Sequence, residues 1–123
     1  MTATRNRRFP TWVYDKGEEP DPRFTLANER TFLAWIRTSL ALIAAGVALE
    51  AFELPIQPGL RLAASLVLIV TGLLTPLQAW FGWMTIERSL RQSRPLPSSP
   101  MGAPLAMAAS GAGVLILLGV LLP

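Results

Sequence analysis

The chain has 123 residues, 51% hydrophobic and 15% charged, with a formal net charge of +3 and a mean hydropathy of +0.41. A soluble domain of this size carries about a quarter charged residues, so a water-surrounded globule is excluded. There is no Cys and no His. This removes disulfides, thiol chemistry and Cys/His metal centres, and with them the commonest general acid–base side chain.

The apolar residues are bunched. Thr38–Leu49, Leu62–Met84 and Ala103–Leu122 carry no formal charge. The second and third are long enough to cross a hydrocarbon core of about 30 Å, which takes roughly 20 residues. The reading is an all-α membrane protein with three transmembrane helices and no sizeable soluble domain.

Residues 1–20 read as a cytoplasmic N-terminal tail. Arg5, Arg7, Arg8 and Lys16 alternate with Asp15, Glu18 and Glu19, and Phe9, Trp12 and Tyr14 lack helical spacing. Trp and Tyr favour headgroup depth, so the tail is expected as a loosely ordered surface segment or as an arm on a neighbouring subunit. About 30 polar residues precede the first apolar run, unlike a signal peptide. The membrane domain is residues 21–123. Asp21-Pro22 is a helix start, with Asp as N-cap and Pro at the first helical position, and the first helix is expected over about 22–52. Glu50, Glu53, Leu54-Pro55 and Pro58-Gly59 form a short turn. The second helix follows over about 60–90, with a kink expected at Pro76 and room for it at Gly72. Trp80 and Trp83 mark its interfacial end. Arg94–Pro104 is a Pro/Ser linker, extended and non-helical, and the third helix is expected over about 104–122. No internal repeat is evident.

Basic residues set the orientation. Arg5, Arg7, Arg8, Lys16 and Arg23 precede the first span, Arg88, Arg91 and Arg94 follow the second, and the first loop holds only Arg61. The positive-inside rule puts the N-terminus in the cytoplasm and the C-terminus outside.

Within the first helix Arg23, Arg30 and Arg37 are spaced by seven residues, which brings them within about 20° of one another on a helical wheel. Ala34, Ala41, Ala44 and Ala48 continue that face, while Phe32, Trp35, Ile36 and Ile43 lie opposite. Counting back about 20 residues from Glu50 puts the boundary near Arg30 and Arg37 about 10 Å deep. Two bland readings stand beside a functional one. The arginines can snorkel to the interface, or they can pair with Glu29 or Glu87 of another helix. Asn28 is a candidate inter-helix hydrogen-bond donor, so Asn28, Glu29 and Glu87 form the expected polar contacts. Functionally, several copies turning Arg23, Arg30 and Arg37 to a common axis would stack rings that select anions and phosphates. The cytoplasmic basic cluster Arg88, Arg91 and Arg94 would widen such a funnel or hold anionic lipid headgroups.

Ala27-Asn28-Glu29-Arg30-Thr31-Phe32-Leu33, continuing through Ala34-Trp35-Ile36-Arg37-Thr38, resembles the YidH family of bacterial inner-membrane proteins, the domain of unknown function 202. The likeness covers about Asp21–Ser93, including Ala44–Leu49 and Glu87 with its basic neighbours. The same motif is similar to that of the small membrane subunit of the eukaryotic vacuolar transporter chaperone. That resemblance implies a symmetric oligomer of three-helix units with a basic, polyphosphate-conducting pore, Arg23 and Arg30 at pore positions and Glu29 as the motif acid. Arg37 matches the bacterial members only, and no polymerase domain is present. The expected function is an oligomeric anion or polyphosphate channel or translocation subunit of the bacterial inner membrane. The alternative is a non-conducting scaffold or accessory subunit of a larger complex. An enzyme is not expected, no cofactor or metal is implied, and the partners expected are membrane lipids, further copies of the chain and a polyanion, not nucleic acid.

Overall fold

The structure, a computed structural model, describes residues 8–97 and 102–122. Arg5, Arg7 and the middle of the Pro/Ser linker lie outside the described residues. Among the described residues four helices run in chain order: α1, Thr11–Tyr14; α2, Pro22–Ala51; α3, Pro58–Arg91; α4, Gly102–Leu121. No strand occurs among the described residues, and α2, α3 and α4 are each long and apolar enough to cross a membrane.

Capping explains where the long helices begin. Asp21 accepts a hydrogen bond from the Arg23 backbone N–H at 2.9 Å, with Pro22 opening α2. Gln57 does the same for Leu60 at 2.7 Å, with Pro58 opening α3. The second long helix therefore starts earlier than a reading of Pro58-Gly59 as turn suggests. A first helical turn has no use for its N–H groups, so Pro fits there at no cost. The same reasoning lets α4 begin at Gly102 and carry Pro104 in its first turn.

Helix α3 is central, with α2 and α4 both packed along it. The α2–α3 pair is antiparallel in one fixed register: Asn28 meets Trp83, Ser39 meets Gly72, Gly46 meets Ser65 and Glu50 meets Arg61. At its centre the contact is reciprocal. The Ser39 hydroxyl donates to the Gly72 carbonyl at 2.5 Å, and the Ser65 hydroxyl donates to the Gly46 carbonyl at 2.5 Å. Each helix thus supplies one Ser and, seven residues on, one Gly. The glycines permit the approach. A Cβ on Gly72 would lie 2.6 Å from Ile43 Cγ1, and one on Gly46 would lie 2.6 Å from Ile69 Cγ1. Where lipid removes the hydrophobic drive for helix association, close packing through small residues and inter-helix hydrogen bonds takes its place.

Helix α4 docks by Ala112 and Gly119, and the Gly119 carbonyl accepts the Gln57 N–H at 2.8 Å. Leu49, Ile56 and Ala64 form a small apolar core with Leu68, Leu115 and Ile116 at this turn end. The exterior is more apolar than the core. On α3, large apolar side chains stand exposed from Leu62 through Leu66, Val70, Leu73, Leu74 and Leu77 to Phe81, a span of about 28 Å. Leu33, Leu40, Val47 and Phe52 continue the belt on α2.

Candidate functional site

The arginine face of α2 points away from its own chain. Arg23, Arg30 and Arg37 are all exposed, as are Ala34, Ala41 and Ala44, with Ala48 half-buried. The face that meets α3 runs through the buried Asn28, Ser39, Gly46 and Leu49, with Phe32 and Trp35 partly covered. The inter-helix register gives depths. Arg30 lies level with Phe81, the edge of the apolar belt on α3, and Arg37 lies level with Leu74, about 10 Å inside it.

The three arginines differ in their surroundings. Arg23 forms an ion pair with Asp21 at 2.8 Å, which holds the Asp21 carboxyl below its ordinary range through the Arg23 side-chain and backbone donors. Arg30 and Arg37 make no hydrogen bond or ion pair with any described residue.

The polar contacts expected of Asn28, Glu29 and Glu87 divide. Asn28 and Glu87 come together at the arm end of the α2–α3 contact. Glu87, 1% exposed, accepts from the Thr25 hydroxyl at 3.1 Å and from Asn28 Nδ2 at 3.4 Å, and the same Nδ2 donates to the Trp83 carbonyl at 3.1 Å. Glu87 thus takes neutral donors rather than the arginine of another helix. Glu29 is half-buried and bonds to no described residue.

The N-terminal segment is not loosely ordered over its described part: it folds back onto α3 of its own chain. Val13 is fully buried, and Tyr14 and Phe9 pack on Trp83 and Trp80. Arg91 is the clamp. Its Nε donates to the Lys16 carbonyl at 2.8 Å, Nη2 to the Tyr14 carbonyl at 3.2 Å and Nη1 to Glu19 at 3.2 Å. The Arg91 carbonyl in turn accepts the Glu18 N–H at 2.9 Å. Gly17 makes the turn with φ +57°, where a Cβ would collide with the Arg91 carbonyl. Arg8 pairs with Glu19 and lies over the Tyr14 ring. Burial, followed by the charge of Glu87, raises the Tyr14 phenol above its ordinary 10.0.

Arg88, Arg91 and Arg94 are therefore not one cluster. Arg91 is 6% exposed and committed to the arm. Arg88 stacks on Trp12 at 4.3 Å, and Arg94 is exposed. Sequence reasoning missed the Ser39–Gly72 and Ser65–Gly46 contacts, although a Ser and a Gly seven residues apart on both helices were there to be read. Among the described residues no group of His, Cys, Asp or Glu is arranged to hold a metal ion.

Three long helices, apolar outside and joined through small and polar residues inside, define a multi-pass helical membrane protein. The chain belongs to the family described as a domain of unknown function (DUF202), whose model matches residues 23–89. It is 46% identical over 101 residues to the uncharacterized protein Rv2272 of Mycobacterium tuberculosis, covering 80% of this chain and 82% of that one. It is also 46% identical over 85 residues to the inner membrane protein YidH of Escherichia coli, covering 66% of this chain and 71% of that one. No solved structure matches it significantly. The family and the three spans make it a multi-pass inner-membrane protein.

Proposed function

We propose that the protein assembles as a symmetric oligomer, N-terminus in the cytoplasm, and passes anions, polyphosphate among them, along an axis faced by Arg30 and Arg37. The observation that carries this reading is Arg37, an exposed cation with no partner among the described residues, about 10 Å inside the apolar belt. Facing lipid, a charge near the membrane centre costs about 2.5–3.5 kcal/mol on insertion scales, and such groups ordinarily face a protein interior or a water-filled cavity. The exposed Ala34, Ala41 and Ala44 on the same face let a second helix approach closely. Rings of arginine around an axis select anions. Arg23 contributes less, because Asp21 neutralises it. On this reading the protein catalyses no reaction.

The test is anion and polyphosphate flux in liposomes, with stoichiometry from native mass spectrometry. Flux that falls in Arg30→Ala and Arg37→Ala but persists in Arg23→Ala supports the reading. Absence of flux, or flux indifferent to Arg30 and Arg37, overturns it. A non-conducting accessory subunit is favoured by a separate feature. Ala106, Ala109 and Gly113 stand exposed at three- and four-residue spacing on α4, and a Cβ on Gly113 would meet nothing within 4 Å, a close-packing surface for a different membrane chain. Recovery of one stoichiometric partner without flux would establish that alternative.

A further inference from the structure

We propose that the N-terminal arm and the end of α3 form a binding site for an anionic phospholipid headgroup, with Arg88 as its anion-binding group. Whether the protein conducts is immaterial to this site.

The geometry starts from Arg88. Its guanidinium lies 4.3 Å from the centre of the Trp12 ring and makes no hydrogen bond or ion pair with any described residue. Its Nε is buried without a partner. Stacking on an aromatic face holds a guanidinium flat, and with Nε buried it is the Nη1–Nη2 edge that remains open to meet a phosphate bidentately. No carboxylate bonds to Arg88 among the described residues, and two are committed elsewhere. Glu87 takes Thr25 and Asn28, and Glu19 takes Arg8 and Arg91. Asp15, three residues after Trp12, is exposed and makes no bond to Arg88.

Position supplies the second argument. Arg88 is seven residues beyond Phe81, the last exposed apolar residue of the α3 belt, hence about 10 Å past its edge. The headgroup layer extends about 5–8 Å past the hydrocarbon edge, and helical side chains lean toward the helix N-terminus, so the long Arg88 side chain reaches back into that layer. The arm lies across the same interval. Phe9 stacks on Trp80 at 6.2 Å, beside the belt edge, and Trp12 sits over Arg88. Phe9 is 79% exposed and Trp12 46% exposed. An aromatic wedge at the boundary with an unpaired arginine just above it matches a leaflet whose lipids carry phosphate and net negative charge.

The experiment uses the full chain in detergent with equal amounts of phosphatidylglycerol and phosphatidylcholine of the same acyl chains. Retained lipid is counted by native mass spectrometry. The wild type should retain phosphatidylglycerol preferentially. Arg88→Gln should lower that retention about fivefold with phosphatidylcholine unchanged, and Trp12→Ala should lower it as well. Arg94→Gln removes an equal but unstacked charge and should have a smaller effect. Circular dichroism of Arg88→Gln checks that the helices remain, and Arg88→Lys, which keeps charge without the planar edge, should be intermediate. Equal retention of both lipids by the wild type overturns the proposal. So does an equal loss in Arg94→Gln, which would make the attraction diffuse. Displacement of phosphatidylglycerol by millimolar inorganic phosphate would overturn it in favour of a soluble ligand.

Discussion

Ser39 donates its hydroxyl hydrogen to the Gly72 carbonyl, the acceptor that Pro76 leaves without a helical donor. A proline has no N–H, so the carbonyl four residues earlier loses its intrahelical bond. Here the neighbouring helix supplies the missing hydrogen, and α3 runs unbroken from Pro58 to Arg91. Ser39→Ala should therefore cost about 1 kcal/mol. Pro76→Ala restores the backbone donor, so the loss from Ser39→Ala should shrink in that background. Unfolding in mixed micelles, followed by circular dichroism, measures the double-mutant cycle. Additive effects would mean that the serine and the proline are not coupled.

The glycines make a second contrast. Gly72→Ala forces Cβ against Ile43 and the Ser39 carbonyl, and prising apart a packed helix pair should cost about 1–3 kcal/mol. Gly82→Ala, ten residues along the same helix, meets nothing within 4 Å. It should be neutral or stabilising by up to about 1 kcal/mol, the helix-propensity gain. The same unfolding assay reads both. Equal losses at the two positions would show that propensity, not contact, governs Gly72.

Arg91 should behave as a latch for the arm. Arg91→Ala removes the donors held by the Lys16 and Tyr14 carbonyls and by Glu19, and bonds made by a charged group contribute about 1.5–3 kcal/mol each. The arm should come free while the three long helices stay folded. Limited proteolysis should then cut between Arg8 and Pro20 much faster than in the wild type. Arg91→Lys, with a single compact ammonium, should restore only part of the protection. An arm equally protected in Arg91→Ala would assign its anchoring to Val13 and the aromatic contacts alone.

The spans were legible because length and composition dictate them, and the α2 start because Asp21-Pro22 is a local signal. That Arg23, Arg30 and Arg37 share one face followed from their seven-residue spacing; that the face turns away from α3 is seen only in the fold. The arm was not legible. Its anchors are backbone carbonyls more than 70 residues from Arg91, and a carbonyl acceptor leaves no mark on the sequence. For the same reason Arg88, Arg91 and Arg94 read alike as a basic run, although one is stacked, one buried and one exposed. Glu87 read as half of an ion pair because charge is visible in sequence, whereas the aim of Thr25 and Asn28 toward it depends on the helix register.

Tyr14 offers a spectroscopic probe, as the chain has one tyrosine. Burial and the Glu87 charge disfavour its phenolate. A group whose folded pKa is raised contributes stability that is complete below its unfolded value, near 10.0, and is lost as pH climbs through the folded value. The phenolate absorbance should therefore appear above the ordinary pH range, and the arm should loosen as it does. Glu87→Gln removes the second cause and should move the titration back toward the ordinary value without reaching it, since burial remains. A wild-type titration at the ordinary value would contradict the packing of Tyr14 against Trp83.

The last prediction concerns the small residues beside the arginines. Ala41 and Ala44 are exposed in the single chain, so Ala41→Leu and Ala44→Leu touch no packed neighbour and should leave the monomer's unfolding unchanged. In the proposed assembly the same positions lie where α2 of one copy meets another, and an added isobutyl group there should push the helices apart. Native mass spectrometry should then show the oligomer reduced to monomers in the double variant, while Val47→Leu, an exposed position already bulky and off the arginine face, should assemble normally. An oligomer that survives both alanine replacements would place the interface elsewhere on the bundle and would leave Arg37 to be accommodated by lipid alone.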